Sequence, residues 1–129
     1  DASIPVDWTI DSRERHVTAT GEGPVTFVEA VRLLDTLAGA QALGYRKLLD
    51  ARQARPSFTP DELMQLAVKV RGFHEKGIMG ALAVVATPEQ TVSYARLLGA
   101  LAAADRPIKV FTTPRAARNW ISGQKPSFA

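Results

Sequence analysis

The fold is decided by one stretch of the chain, Tyr45-Arg-Lys-Leu-Leu-Asp-Ala-Arg-Gln-Ala-Arg-Pro-Ser-Phe-Thr-Pro-Asp-Glu-Leu63. Residues 45–50 predict a strand, and the polar residues 51–58 predict a loop. Thr59 and Glu62 have the spacing of a capping box, and Pro60 suits the first turn of a helix. A strand, a loop and a helix in this order predict a sheet with helices packed against it.

The residues before this stretch predict a hairpin and a first helix. Polar and apolar residues alternate in 4–11 and again in 15–20, a pattern typical of half-buried strands. The turn between them is short, which favours a hairpin. Gly21-Glu-Gly-Pro24 is predicted to break the second strand. A capping box at Thr26 opens a helix that runs to about residue 42, with Gly44 as its predicted C-terminal cap.

The residues after it predict two further strands and two further helices. Residues 81–86 contain no polar side chain and predict a strand inside the sheet, covered on both faces. Thr87 is the predicted cap of the third helix. Residues 108–112 predict an edge or half-exposed fifth strand, and Thr113 begins a short final helix.

The element order is therefore ββαβαβαβα, which predicts one α/β domain. We expect a mostly parallel five-stranded sheet with an antiparallel N-terminal hairpin and about four helices. The domain is predicted to span residues 1–122, followed by a flexible C-terminal tail at 123–129.

Composition narrows the classes of function. A chain of 129 residues has the usual size of one domain. The absence of cysteine excludes disulfides, thiolate catalysis and zinc–thiolate sites, and is consistent with a cytoplasmic location. No apolar run reaches the roughly 20 residues that a transmembrane helix needs.

The positive charge is unevenly distributed along the chain. Residues 1–44 hold seven acidic and three basic residues, whereas residues 45–129 hold six acidic and thirteen basic residues. The basic residues, Lys47 among them, are scattered and have few aromatic neighbours. This pattern favours a solvated basic face and predicts no nucleic-acid partner.

Catalytic and metal-binding patterns are weak. His16 and His74 are far apart and neither has a second ligand at metal spacing, so we expect no metal and no cofactor. Asp50 ends a predicted strand, where it is a candidate general base, but pairing with Arg52 explains it better. No nucleophile–base pair can be named, and the sequence predicts a protein that is not an enzyme.

A candidate interaction surface lies where the parallel strands end, since functional surfaces of such sheets lie outside the carboxyl ends of the strands. Three helix N-termini point to the same place and favour an anion. The residues predicted to form this interaction or anion-binding surface are Asp50, Arg52, Arg55, Ser57, Thr59, Thr87 and Thr113.

The chain resembles the STAS-like superfamily, which includes anti-sigma-factor antagonists and stage II sporulation AA-like proteins. The resemblance covers roughly residues 5–122 and rests on the element order, Leu48-Leu49-Asp50-Ala51-Arg52, the helix start at Thr59, Ala83-Val84-Val85-Ala86, and Val110-Phe111 with its following helix. It implies a sheet in sequential strand order, helices largely along one side, and a regulatory role through a protein partner.

Some members of that superfamily are switched by phosphorylation in the loop between the third strand and the second helix. The usual switch resembles Asp-Ser-Ser-Gly, whereas this chain has Asp50-Ala-Arg-Gln-Ala-Arg-Pro-Ser57. Ser57 is thus the candidate phospho-acceptor, a hypothesis that phosphosite analysis of the native protein would refute by finding no modification.

Two classes of function follow. The first is a regulatory, non-enzymatic protein-interaction module. The alternative is a domain that binds a small molecule, an anion or a lipid in a pocket at the carboxyl ends of the parallel strands. Related α/β proteins of the CRAL-TRIO lipid-transfer class bind lipids in a pocket beside the sheet. The residues that could line a pocket of that kind here are Met64, Phe73, Met79, Tyr94 and Leu98, although core packing explains them too. A homodimer through a half-covered sheet face or an edge strand is a third kind of partnership.

Overall fold

The computed structural model describes residues 6–75, 79–101 and 106–125. Five strands and four helices follow in the predicted order, ββαβαβαβα. In chain order they are β1 (Val6–Asp11), β2 (His16–Thr26), α1 (Phe27–Gly39), β3 (Arg46–Ser57), α2 (Pro60–Glu75), β4 (Leu82–Val85), α3 (Thr91–Leu101), β5 (Ile108–Phe111) and α4 (Pro114–Ser122).

The five strands form one sheet in the order β1-β2-β3-β4-β5. β1 and β2 pair antiparallel as a hairpin, and all other neighbours pair parallel. The short apolar β4 lies between β3 and β5, and Ala83, Val84 and Val85 are buried. Lys109 of the edge strand β5 is exposed. The predicted α/β class, the hairpin at one edge and the interior position of β4 are confirmed.

The pairing of β2 with β3 is longer than the sequence suggested. Gly21–Pro24 do not break β2, and residues 51–57 are strand and not loop. Parallel pairing of the two strands continues to Thr26 and Ser57, with a register shift between Thr20 and Glu22. The prediction failed here because glycine, proline and charged side chains resemble a loop, while the backbone hydrogen bonds of a parallel ladder do not depend on apolar side chains.

The helices cover the two faces of the sheet unequally. α1, α2 and α3 lie on one face, where residues such as Leu37 and Tyr94 pack against the strands. α4 lies on the other face, where Ala117 and Ile121 pack against β3 and β4. Along β1 and β2, the side chains on that second face are polar. No helix in the described ranges is long and apolar enough to cross a membrane.

The ends of two helices differ from the prediction. α1 ends at Gly39, because Gln41 adopts a left-handed φ of 57° and closes a Schellman motif. The amides of Gln41 and Ala42 donate to the carbonyls of Ala38 and Leu37 at 3.1 and 2.8 Å, so Gly44 is not the cap. α3 begins at Thr91 and not at Thr87.

Several predicted features lie outside the described residues. They are the first two residues of the strand predicted at 4–11, the side chain of His74, and residues 126–129 of the predicted tail. The domain boundary at residue 122 stays a prediction.

We expect Gly80→Ala to lower the free energy of unfolding by about 3 kcal/mol, the upper range for overpacking. Gly80 donates its amide to Leu43 at 2.9 Å. A Cβ at this position would lie 2.8 Å from the carbonyl carbon of Gly44, and closer still to the carbonyl oxygens of Gly44 and Tyr45. Backbone must therefore move, which urea denaturation would measure.

Gly99→Ala is the matched control. Gly99 lies within α3, and a Cβ there meets no atom within 4 Å. Because alanine favours a helix over glycine, this variant should be stabilised by roughly 0.5–1 kcal/mol. Similar effects of the two substitutions would contradict the close approach at Gly80.

Candidate functional site

Asp50 and Arg52 form a two-pronged ion pair at the centre of the predicted surface. Arg52 donates from Nε to Oδ1 at 3.0 Å and from Nη2 to Oδ2 at 2.7 Å, and its amide donates to Oδ1 at 3.2 Å. The side-chain hydrogen bonds from Arg52 are the main reason that the pKa of Asp50 is lowered. A carboxylate held ionised, with both oxygens engaged, is a weak candidate for a general base.

Two side chains from the α3 region complete the hydrogen bonding of β3 beyond the end of β4. The Tyr94 hydroxyl lies 2.8 Å from the carbonyl oxygens of both Ala51 and Ala54 and can donate to one at a time. Gln90 Nε2 donates to the carbonyls of Arg52 and Ala54 at 3.3 and 3.4 Å. These side chains take the place of a neighbouring strand, since buried carbonyls need a partner. Burial raises the pKa of Tyr94.

The predicted threonines serve mainly as structural groups at helix starts. Thr59 Oγ1 accepts from the Glu62 amide at 3.1 Å, and Glu62 Oε1 accepts from the Thr59 amide at 2.9 Å, which completes the capping box. Thr113 accepts from the Ala116 amide at 3.2 Å and caps α4. Thr87 donates its amide to Gln90 Oε1 at 2.8 Å.

The structure brings only some of the predicted surface together. Gln90 links Thr87 to the backbone of Arg52, and so to the ion pair with Asp50. Arg55 and Ser57 are exposed farther along β3. Within the described residues, no hydrogen bond or ion pair joins Arg55, Ser57 or Thr113 to that group.

A cavity of about 220 Å³ lies between the sheet and the layer of α1, α2 and α3. It lies beside the sheet, and one end of it reaches the carboxyl ends of β2 and β3, where the sequence predicted a pocket. It extends along the sheet face, from Arg106 before β5 to Pro56 and Phe58 at the far end of β3. Its helical side is formed by residues that include Ala30, Leu34, Leu66, Val70, Leu97 and Leu98.

Small residues and a bulge in β3 make room for the cavity. The register shift gives β3 one extra residue opposite β2, so that Ala51 and Ala54 both line the cavity although they are three positions apart. Of the predicted pocket residues, Tyr94 and Leu98 line it. Met64 is exposed, and Phe73 and Met79 pack in a separate cluster around Leu37.

Among the described residues, Arg106 is the one charged residue in the cavity wall. Its Nη1 donates to the carbonyl of Gly80 at 3.1 Å, and its Nε is buried with no partner within the described residues. Burial lowers the pKa of Arg106 to about 10. Arg106 forms no ion pair within the described residues, and a cation in an apolar wall is costly without one. Arg106 is therefore a candidate for binding a ligand.

Lys47 is a second buried cation near Arg106. Its side chain is 7% exposed, and Nζ donates to the carbonyls of Tyr45, at 2.9 Å, and Leu43. Burial, and then the charge of Arg106, lowers the pKa of Lys47 to about 7. The prediction of a solvated basic face is wrong for Lys47. On the strand, Lys47 and Leu49 are two positions apart and therefore share one face. That spacing was the available signal for an inward side chain of Lys47.

Other candidate chemistries find no support in the described part of the chain. His16 lies 3.4 Å from the Thr18 hydroxyl, and its pKa is lowered by burial and by the charge of Arg46. No group of three or more metal-binding side chains occurs among the described residues.

Lys47 should make the free energy of unfolding depend on pH. Its pKa is about 7 in the folded protein, against about 10.4 in an unfolded chain. Between these values the unfolded state binds the additional proton, so stability rises with pH. The full shift corresponds to a rise on the order of 4 kcal/mol, most of it between pH 7 and 10.

Urea denaturation of the wild type and of Lys47→Met over this pH range would measure that dependence. The slope of unfolding free energy against pH should be smaller in Lys47→Met. The control is Lys109→Met, which removes an exposed lysine from β5 and should leave the slope unchanged. Equal slopes in all three proteins would refute the buried, neutralised Lys47.

Comparison with known proteins identifies the fold. No protein-family model matches the chain, and no curated protein matches it. A solved structure from Shewanella loihica PV-4, an uncharacterised protein of the DUF3478 family with a SpoIIAA-like fold, matches with a TM-score of 0.66. The match covers 94% of this chain and 98% of that one at 15% identity. The chain therefore has the SpoIIAA-like form of the STAS-like fold, as its resemblance implied.

Proposed function

We propose that the chain is a non-enzymatic binding module that takes an apolar small molecule into the cavity beneath α1, α2 and α3. The observation that carries this proposal is the cavity itself, about 220 Å³ with an almost wholly apolar wall. A cavity of 150 Å³ with such a wall is large enough for benzene, and pockets for drug-sized ligands begin near 300 Å³. A ligand of intermediate size, such as a short alkyl chain, fits this range.

The polar groups near the cavity support binding over catalysis. Asp50 is engaged by Arg52, and Tyr94 is engaged by carbonyls of β3. A reaction needs a nucleophile within reach of a base, and the cavity wall offers Arg106 and Tyr94 as its polar side chains. Both suit recognition of a ligand better than proton transfer at neutral pH.

Filling the cavity should exclude its ligand. Ala30 of α1 lines the cavity, so Ala30→Leu places three additional carbons inside it. We expect the affinity for octan-1-ol to fall at least tenfold, because the space for the alkyl chain is lost. A titration followed by backbone amide chemical shifts in NMR would measure the affinity.

Ala95→Leu is the control for this experiment. Ala95 is an exposed helical alanine of α3 and does not line the cavity. The affinity of the Ala95→Leu variant for octan-1-ol should equal that of the wild type. The proposed function fails if the wild type does not bind octan-1-ol saturably, or if Ala30→Leu binds it as well as the control does.

An exposed apolar row on the helical layer favours a second function, binding of a protein partner. The large apolar side chains of Val28, Met64, Val68 and Val92 are between 60% and 67% exposed. Three of them lie in the first or second turn of α1, α2 and α3. Exposed apolar groups at corresponding ends of helices that pack side by side are suited to an interaction site.

Met64→Glu tests the partner surface without disturbing the core, because Met64 is 66% exposed. A partner captured by the wild type should be lost by Met64→Glu and retained by Ala100→Glu, an exposed position at the other end of α3. Affinity capture with quantitative mass spectrometry would compare the three baits. Retention by Met64→Glu and by the double variant Asp50→Ala/Arg52→Ala would exclude this surface.

A further inference from the structure

Arg106, in the wall of the cavity, and Lys47, which interacts with it, have no counter-ion within the described residues. The three ion pairs there are Arg32–Glu29, Arg52–Asp50 and Lys69–Asp35. Neither Arg106 nor Lys47 belongs to any of them. A buried charge without a partner destabilises the folded protein, and a bound anion would relieve that cost.

The guanidinium of Arg106 is only partly hydrogen-bonded within the described residues. Nη1 donates to the carbonyl of Gly80, whereas Nε is buried and has no partner among the described residues. In the same protein, the guanidinium of Arg52 binds the two oxygens of the Asp50 carboxylate at 3.0 and 2.7 Å. A guanidinium in the wall of an apolar cavity is likewise suited to a carboxylate.

The rest of the cavity is suited to a hydrocarbon chain. Apart from Arg106 and the engaged Tyr94, its wall consists of apolar side chains and glycine. Arg106 lies at the start of β5, whereas Val25, Pro56 and Phe58 lie at the far ends of β2 and β3. The polar and apolar parts of the wall therefore lie toward different ends of the cavity, as they would for an amphiphilic ligand.

We propose that the ligand of this cavity is a carboxylic acid with an alkyl chain, whose carboxylate binds the guanidinium of Arg106 and whose chain extends along the sheet toward Phe58. This inference rests on the proposed function, because it names the chemical class of ligand for the same cavity. The protonated fraction of Lys47, whose pKa is about 7, adds positive potential near the carboxylate.

A series of ligands with the same alkyl chain and different head groups tests the carboxylate inference separately from the proposed function of the cavity. The probes are octanoate, octan-1-ol, octylamine and octyl phosphate, each titrated into the wild-type protein at neutral pH and below its micelle concentration. We expect octanoate to bind at least tenfold more tightly than octan-1-ol, and octylamine to bind most weakly. Isothermal titration calorimetry would measure the four affinities.

Variants of Arg106 assign the preference to that residue. Arg106→Gln should abolish the preference for octanoate over octan-1-ol while keeping the affinity for octan-1-ol. Arg106→Lys should retain part of the preference because it keeps the charge. Arg118→Gln, which removes an exposed arginine of α4 on the opposite face of the sheet, should behave as the wild type does.

The outcomes distinguish failure of the head group from failure of the cavity. Equal affinities of the wild type for octanoate and octan-1-ol would overturn the carboxylate inference and leave the proposed function standing. Tighter binding of octyl phosphate than of octanoate would also overturn it. Binding of none of the four probes would contradict both proposals. Should Arg106→Gln fail to fold, the head-group series on the wild type still decides.

Discussion

The structure depends on the parallel ladder between β2 and β3, which continues well beyond the end of β4. Ten residues of each strand are paired, and the register shift adds one residue to β3. Beyond β4, the carbonyls of β3 that a further strand would have satisfied are bound by the side chains of Gln90 and Tyr94. The extended β2–β3 ladder thus fixes the position of α3, and its register shift turns Ala51 and Ala54 toward the same cavity.

Two cationic side chains near the cavity, Lys47 and Arg106, are unfavourable for the stability of the folded protein. Lys47 is buried and Arg106 is half-buried on the side of the sheet that α1, α2 and α3 cover, and each uses backbone carbonyls as hydrogen-bond acceptors. Backbone carbonyls replace only part of the hydration that a cation has in water. The loss of hydration on burial lowers the pKa of Lys47. Stability alone would favour apolar side chains at both positions. The anionic ligand proposed for the cavity would account for both cations.

Most of the fold was predictable from local sequence, whereas the cavity was not. The capping box at Thr59 and the uniformly apolar β4 gave correct elements, because caps and burial leave marks within a few residues. The strand at 51–57 was missed because its partner, residues 22–26, lies far away in sequence and is rich in turn residues. The burial of Lys47 was not predicted, because the composition of the chain describes only the average surface. The burial of one side chain depends on its position on the strand, here β3.

The two proposed functions use opposite sides of the same helix. Leu66 and Val70 of α2 line the cavity, whereas Met64 and Val68 of α2 are exposed to solvent. A ligand and a protein partner would therefore not compete for space. Because α2 has space on its inner side and packs against both α1 and α3, occupancy of the cavity and binding at the outer row would act on one structural element. If both sites bind, any coupling between them must be reciprocal, since it is a single free energy shared by the two equilibria.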